Sequence, residues 1–356
     1  MAALVSLLAV VTSPITQQMI EYPQRRVETI GNASIPFTRS FKITDSRQLS
    51  RTAMLGYQTF PDAPITHVPA TCDSGDCTFP QFSSIGVCAK VANITDLLTI
   101  KRVDNSTSAD WSQGVLWQPL FSQNYTNITA YNASLPNGIS LATPMPYCLQ
   151  SYPATDTIAF ADDHDVNATS FAHEYLIWSS SPYAQLNNTP WTFMAAEMIY
   201  HACVITYNTS VVEGISNTTI VSTTVQPLPG AMNNTEFMRA NCTVSRDGMN
   251  NIDCSEMILD KAGYLVLEDP INPTQNYSIR HLSLQVLGQG IMMRSFYYSI
   301  WDAVDGDGTI TDSEATDAVA EAIYGTNIDS LITDGGEQFR RLVTRYDGIA
   351  IALNNL

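Results

Sequence analysis

Cys72-Asp-Ser-Gly-Asp-Cys77-Thr-Phe-Pro-Gln-Phe-Ser-Ser-Ile-Gly-Val-Cys88 is the densest local signal in this chain of 356 residues. Asp73 to Asp76 has turn chemistry, so a Cys72–Cys77 bridge is sterically allowed, and Phe79, Phe82 and Ile85 are placed to pack beneath it. In the loop-entropy picture such a six-residue ring contributes about 2 kcal/mol, whereas a bridge closing about sixty residues, such as Cys88 to Cys148, contributes about 4 kcal/mol. The remaining cysteines are Cys148, Cys203, Cys242 and Cys254, which makes seven in all. An odd number leaves at most three bridges within the chain and one thiol that is buried, reactive or intermolecular, and the sequence does not choose the pairing. Zinc is disfavoured, because paired Cys-x-x-Cys spacing and a nearby His are both missing.

Outward from the cysteines, the sequons set the compartment. Asn-x-Ser/Thr triplets begin at Asn32, Asn93, Asn105, Asn124, Asn127, Asn132, Asn167, Asn187, Asn208, Asn217, Asn233, Asn241 and Asn276. Chance placement would give about four, so the excess points to a glycosylated chain that passes through the secretory pathway. The cysteine content fits the same oxidising surroundings. Charged residues make up 14% of the chain, and 34 acidic against 17 basic side chains give a net charge of −17. That field repels phosphate backbones, so nucleic acid is not an expected partner.

The pattern along the chain predicts an α+β fold, a β-rich, disulfide-tied and glycosylated body with C-terminal helices. Met1 to Val11 is apolar except for Ser6, too short to span a bilayer by itself, and no Lys or Arg precedes Arg25 as a signal peptide would require. Residues 1–13 therefore read as the outer end of a transmembrane helix, 14–276 as the glycosylated extracellular domain, and 277–356 as a mainly helical, membrane-proximal segment. Three sequons between Asn124 and Ser134 suggest a surface loop or edge. Tyr175 to Trp178, Met198 to Tyr207 and Thr218 to Val225 are rich in β-branched and aromatic residues and read as strands. Phe339, Leu342, Val343, Tyr346, Ile349, Ala350 and Leu353 recur at helical spacing on one face. Asp312 to Tyr324 is a second helical candidate; within residues 277 to 300, Leu282, Leu284 and Val286 alternate like a strand whereas Ile291 to Trp301 fits a helix, which leaves that piece undecided.

At Gly75, Cys77, Thr78, Phe79, Pro80, Phe82, Ser84, Ile85, Val87 and Cys88 the sequence resembles the fungal family of integral-membrane proteins known as domain of unknown function 3176. The resemblance extends to Leu4 to Tyr22, with Pro14, Gln17, Gln18 and Tyr22, to Cys203-Val-Ile-Thr-Tyr207, and to Ile349-Ala-Ile-Ala-Leu353. It implies membrane helices outside this chain and a large extracellular glycosylated domain between them, and it implies no activity. Val91 and Met198 stand where the family pattern has cysteines, so their joint presence would remove one whole bridge.

Two constellations carry chemistry. Asp305, Asp307, Gly308, Ile310 and Glu314 match a calcium loop of the EF-hand type, with Ala303 in place of the first carboxylate. The competing reading is an acidic Asp-Gly turn leading into a helix. Asp162, Asp163, His164 and Asp165, with His173 and Glu174 nearby, form an acidic knot that reads more simply as a solvated loop than as a metal site. No serine-hydrolase elbow, nucleotide loop, dinucleotide fingerprint or zincin motif is present. The expected role is surface interaction or scaffolding with an extracellular ligand or protein. A secreted or wall-associated hydrolase and a weak calcium-binding module are the alternatives.

Overall fold

A computed structural model of the chain describes residues 32–41, 70–106, 128–143, 148–154, 156–180, 192–228, 242–244, 252–254, 263–291, 297–299, 323–324 and 334–354. The fold is α+β and β-rich, as expected. The first strands are β1 (Ala33–Ser34), β2 (Ser40–Phe41), β3 (Thr71–Cys72), β4 (Cys77–Thr78) and the long β5 (Phe82–Asn93). They are followed by β6 (Thr99–Ser106), β7 (Ile128–Ser134), β8 (Ser140–Thr143) and β9 (Cys148–Pro153). A short helix α1 (His164–Thr169) leads into β10 (Ser170–Ser180), β11 (Thr192–Val212) and β12 (Ile215–Thr224). Then come β13 (Cys242–Val244), β14 (Ile252–Cys254), β15 (Tyr264–Glu268), β16 (Asn276–Arg280), α2 (His281–Ile291), β17 (Tyr297–Ser299) and α3 (Gly335–Asn354).

The axis of the molecule is β11, 21 residues long. Along one edge it pairs antiparallel with β10 through its first half and with β12 through its second. Along the other it pairs with β5 and then β4. Strands β9 and β17 extend the sheet beyond β10. Hydrogen-bonded on both edges and covered on both faces, β11 is buried without a break from Phe193 to Tyr207, which explains why this stretch is apolar but for Glu197, His201 and Thr206. All three strands read from the sequence lie within this sheet, although Val225 falls just beyond β12.

Alternation sends Met194, Ala196, Met198, Tyr200, Ala202 and Val204 to one face, where they join a core with Leu284 and Leu287 of α2 and Leu342, Tyr346 and Ala350 of α3. The periodic face of α3 thus docks on the sheet, as its spacing predicts. Trp178 Nε1 donates to Gln338 Oε1 at 2.8 Å, and the Asn354 side chain accepts from Val87 N at 2.5 Å and donates to Val87 O at 2.9 Å. The undecided stretch resolves against its local pattern: after β16, Leu282, Leu284 and Val286 lie in helix α2, and Tyr297–Ser299, inside the run with helical character, forms strand β17. Leu265, Tyr277 and Ile279, from β15 and β16, share the core of the two helices.

On the opposite face, Phe193 and Ala195 pack with Tyr175 and Ile177 of β10 and with Tyr131, Ala133 and Leu141 of the small sheet β6-β7-β8. The expectation of a loop or edge over residues 124 to 134 is corrected for residues 128 to 134, because β7 is the middle strand of that sheet, while residues 124 to 127 lie outside the described residues. The period of two resolves the conflict: Tyr131 and Ala133 turn inward and are buried, while Asn132 between them is only half-buried. No helix among the described residues is long and apolar enough to cross a membrane.

Candidate functional site

Between the Phe193–Ala195 cluster of that second face and a smaller one of Cys203, Ile205 and Tyr207 further along β11 lies a polar island. Glu197 and His201 of β11, His173 of β10 and Lys90 of β5 meet there, with residues 156–165 and α1 laid across them. Ile199 is the register partner of both His173 and Lys90, which places these residues side by side on three adjacent strands.

The Glu197 carboxylate is 0% exposed. It accepts from His173 Nε2 at 2.9 Å, from the Thr157 hydroxyl, from Ile158 N at 3.1 Å and from Ala159 N at 2.7 Å. Burial by itself pushes this carboxyl up, but the hydrogen bonds from His173, Thr157 and Ala159 outweigh it and hold the group below its ordinary value. The Thr157 hydroxyl also accepts from Phe160 N at 2.9 Å, completing a tight turn. Chemically this is a clasp: the ionised carboxylate has its lone pairs filled and fixes a loop.

Around the clasp the remaining groups are also committed. Asp163 caps α1 by accepting from Val166 N at 3.2 Å and pairs with Lys90 Nζ at 2.5 Å. That lysine bond holds the Asp163 carboxyl below its usual value. Burial pushes His201 down to about 4, so its imidazole is neutral at physiological pH, and its Nδ1 donates to Ala202 O at 3.3 Å. Ala159, Phe160, Asp162, Asp163, His164 and Asp165 line an open depression above the clasp. The acidic knot is therefore divided between roles. Asp162, His164 and Asp165 face solvent, Asp163 is a cap, and His173 points inward to Glu197. Glu174, the next residue of β10, turns to the helical face, where it accepts from the Ser151 hydroxyl and from Tyr346 Oη at 3.3 Å. Burial pushes its carboxyl up to about 8. Among the described residues no group of three His, Cys, Asp or Glu is arranged to hold a metal ion. The calcium-loop residues Asp305, Asp307, Ile310 and Glu314 lie outside the described residues.

Glu197 and His201 were legible only as an anomaly: two polar residues four apart, hence on one face, inside an otherwise apolar strand. A buried Glu demands partners, and a single sequence does not say where they come from.

The cysteines resolve into Cys72–Cys77 and Cys88–Cys203. Cys88 thus bridges to β11 and not to Cys148, a partner only 60 positions away; the bridge chosen spans 115 positions. The cause is register, since Cys88 lies opposite His201, two residues from Cys203 on the same face. Cys148 is buried, with the Thr143 hydroxyl donating to its Sγ at 3.1 Å. Cys242 and Cys254 are register partners in the β13–β14 pair. Val91 and Met198 stand directly opposite one another in the β5–β11 ladder. The Cys72–Cys77 ring grips the tip of the β11–β12 hairpin: Gly75 O accepts from Gly214 N at 2.8 Å and Asp76 Oδ1 from Glu213 N at 2.9 Å.

Among the described sequons, Asn32, Asn93, Asn208, Asn217 and Asn276 are exposed, and Asn132 and Asn167 are half-buried. Compared with known protein families, curated proteins and solved structures, the chain matches none. It is a β-rich α+β protein whose described residues include two disulfides of the kind an oxidising, extracellular or lumenal environment sustains.

Proposed function

We propose that this chain is the N-glycosylated outer portion of a membrane-tethered protein and that it serves surface interaction or scaffolding. The observation that carries the reading is the placement of the sequons. Five of the seven described sequon asparagines with a described side chain are exposed, just before β1, at the end of β5, on both strands of the hairpin arm and at the start of β16. The two disulfides support the same compartment, and the tether rests on the resemblance at residues 72–88 and on the apolar run Met1 to Val11. An interaction role is favoured over hydrolysis because the buried carboxylate with a histidine partner, Glu197, spends its lone pairs on a loop.

The test is expression in a glycosylating secretory host, enzymatic deglycosylation in heavy-oxygen water, and mass spectrometry of the resulting peptides. Label is expected at Asn32, Asn93, Asn208, Asn217 and Asn276. A secreted, folded protein with no label at any of them refutes the proposal.

A further inference from the structure

The arm formed by β11 and β12 carries two sequons in an unusual arrangement. Asn208 is the register partner of Thr219, and Asn217 is the register partner of Ser210. The acceptor of each triplet, Asn208-Thr-Ser210 and Asn217-Thr-Thr219, therefore lies across from the hydroxyl residue of the other, all four on one face. The intervening Thr209 and Thr218 turn to the opposite face, where they are buried and hydrogen-bonded at 3.0 Å. Beyond the sequons the chain reverses in two residues with positive φ, Glu213 at 52° and Gly214 at 78°, the geometry of a tight hairpin turn.

The arm needs protection. Val212 is 56% exposed and its partner Ile215 71%, on the sequon face, while Ile220 and Val221 are each 49% exposed further along β12. Among the described strands β12 pairs only with β11, on one of its two edges, and a sheet edge without a second strand is a template for pairing. Ten residues of β12, Ile-Ser-Asn-Thr-Thr-Ile-Val-Ser-Thr-Thr, hold no charge and no proline. The other edge strand with exposed aliphatics, β6, has Ile100 and Val103 but interleaves Lys101, Arg102 and Asp104. Charge is the usual guard of such an edge, and β12 lacks it.

We infer that sugars at Asn208 and Asn217 are that guard: a paired carbohydrate cover that keeps β12 from pairing with β12 of a second copy of this chain. The inference rests on the glycosylated reading above and deepens it. An antiparallel β12–β12 contact would be self-complementary and would close as a two-fold dimer, with Val212 and Ile215 added to the buried surface.

The test compares four proteins from a glycosylating secretory host by sedimentation velocity across a concentration series. These are the wild type, Asn208→Gln/Asn217→Gln, a control Asn32→Gln/Asn276→Gln, and Asn208→Gln/Asn217→Gln/Val221→Lys, which returns a charge to the edge. The first double variant is expected to show about a twofold rise in weight-average mass, or open-ended association, while the other three stay monomeric. Endoglycosidase trimming of folded wild-type protein carries the same test without mutation and is expected to produce the same association. A monomeric trimmed protein, or equal association of the control, overturns the guard. Glycopeptide mapping separates the two readings: sugar elsewhere but not at Asn208 and Asn217 defeats this inference alone, and sugar nowhere defeats both.

Discussion

At the residue scale, what a buried polar atom does depends on whether its partners are complete. Asn167 heads a sequon, yet its Nδ2 donates to Phe160 O at 2.7 Å and to Ala161 O at 3.3 Å. Its sequon hydroxyl, on Thr169, is buried and donates to Asp165 O at 2.9 Å. A sugar on Nδ2 would remove one of those donors and occupy the space of the turn, so Asn167 is expected to be the least occupied described sequon in the glycopeptide map. Glu174 makes a prediction about pH. Its folded carboxyl is raised to about 8 from 4.5, so between those values the unfolded chain is ionised while the folded one still holds its proton. The folded state then binds more protons, and stability falls as pH rises through that window, by on the order of 5 kcal/mol. Glu174→Gln is expected to remove the dependence, raising the melting temperature at pH 8 and leaving it nearly unchanged at pH 4. An unchanged slope of melting temperature against pH would reject this account. Glu197 acts with the opposite sign: its lowered carboxyl stabilises the fold above the unfolded value, and that contribution is lost in acid.

At the scale of elements, α2 and α3 are held to the sheet by close approach. A Cβ on Gly288 of α2 would lie 2.2 Å from Phe171 O of β10, a backbone atom with little freedom to retreat. Gly288→Ala is expected to cost about 1–3 kcal/mol despite its better helix propensity, as overpacking outweighs the propensity gain of about 1 kcal/mol. Chemical denaturation measures it, and a stabilised variant would count against the packing described. The β5–β11 ladder offers a second test. Register partners in an antiparallel pair have Cα atoms about 4.5–5.5 Å apart, within disulfide range. Val91 and Met198 are such partners and both pack against the helical-face core. Val91→Cys/Met198→Cys is therefore expected to oxidise to a third bridge across this ladder, seen as a crosslinked tryptic peptide. Failure to crosslink in folded protein would contradict the register.

At the scale of the whole molecule, the fold is one long strand with partners gathered from both sides of the sequence. The Cys88–Cys203 bridge ties β5 to β11 across 115 positions, and in the loop-entropy model such a closure contributes about 5 kcal/mol. The register of β13 and β14 adds Cys242 opposite Cys254. Non-reducing peptide mapping is expected to return Cys72–Cys77, Cys88–Cys203 and Cys242–Cys254, with Cys148 alkylated only after denaturation. A crosslink from Cys88 to any other cysteine would refute the topology. What could be read in advance was local: the apolar run of β11, the periodic face of α3, the turn at Asp73 to Asp76 and the excess of sequons. These follow from propensity, period and composition, which act between near neighbours in the chain. Only the tertiary structure decided which cysteine met Cys88, that Val91 faced Met198, that His173 and Glu174 served opposite faces, and that Glu197 held residues 157–159. Those are matters of register between strands distant in sequence. Register is selected by burying both faces of β11 at once, and no local stretch encodes that condition alone.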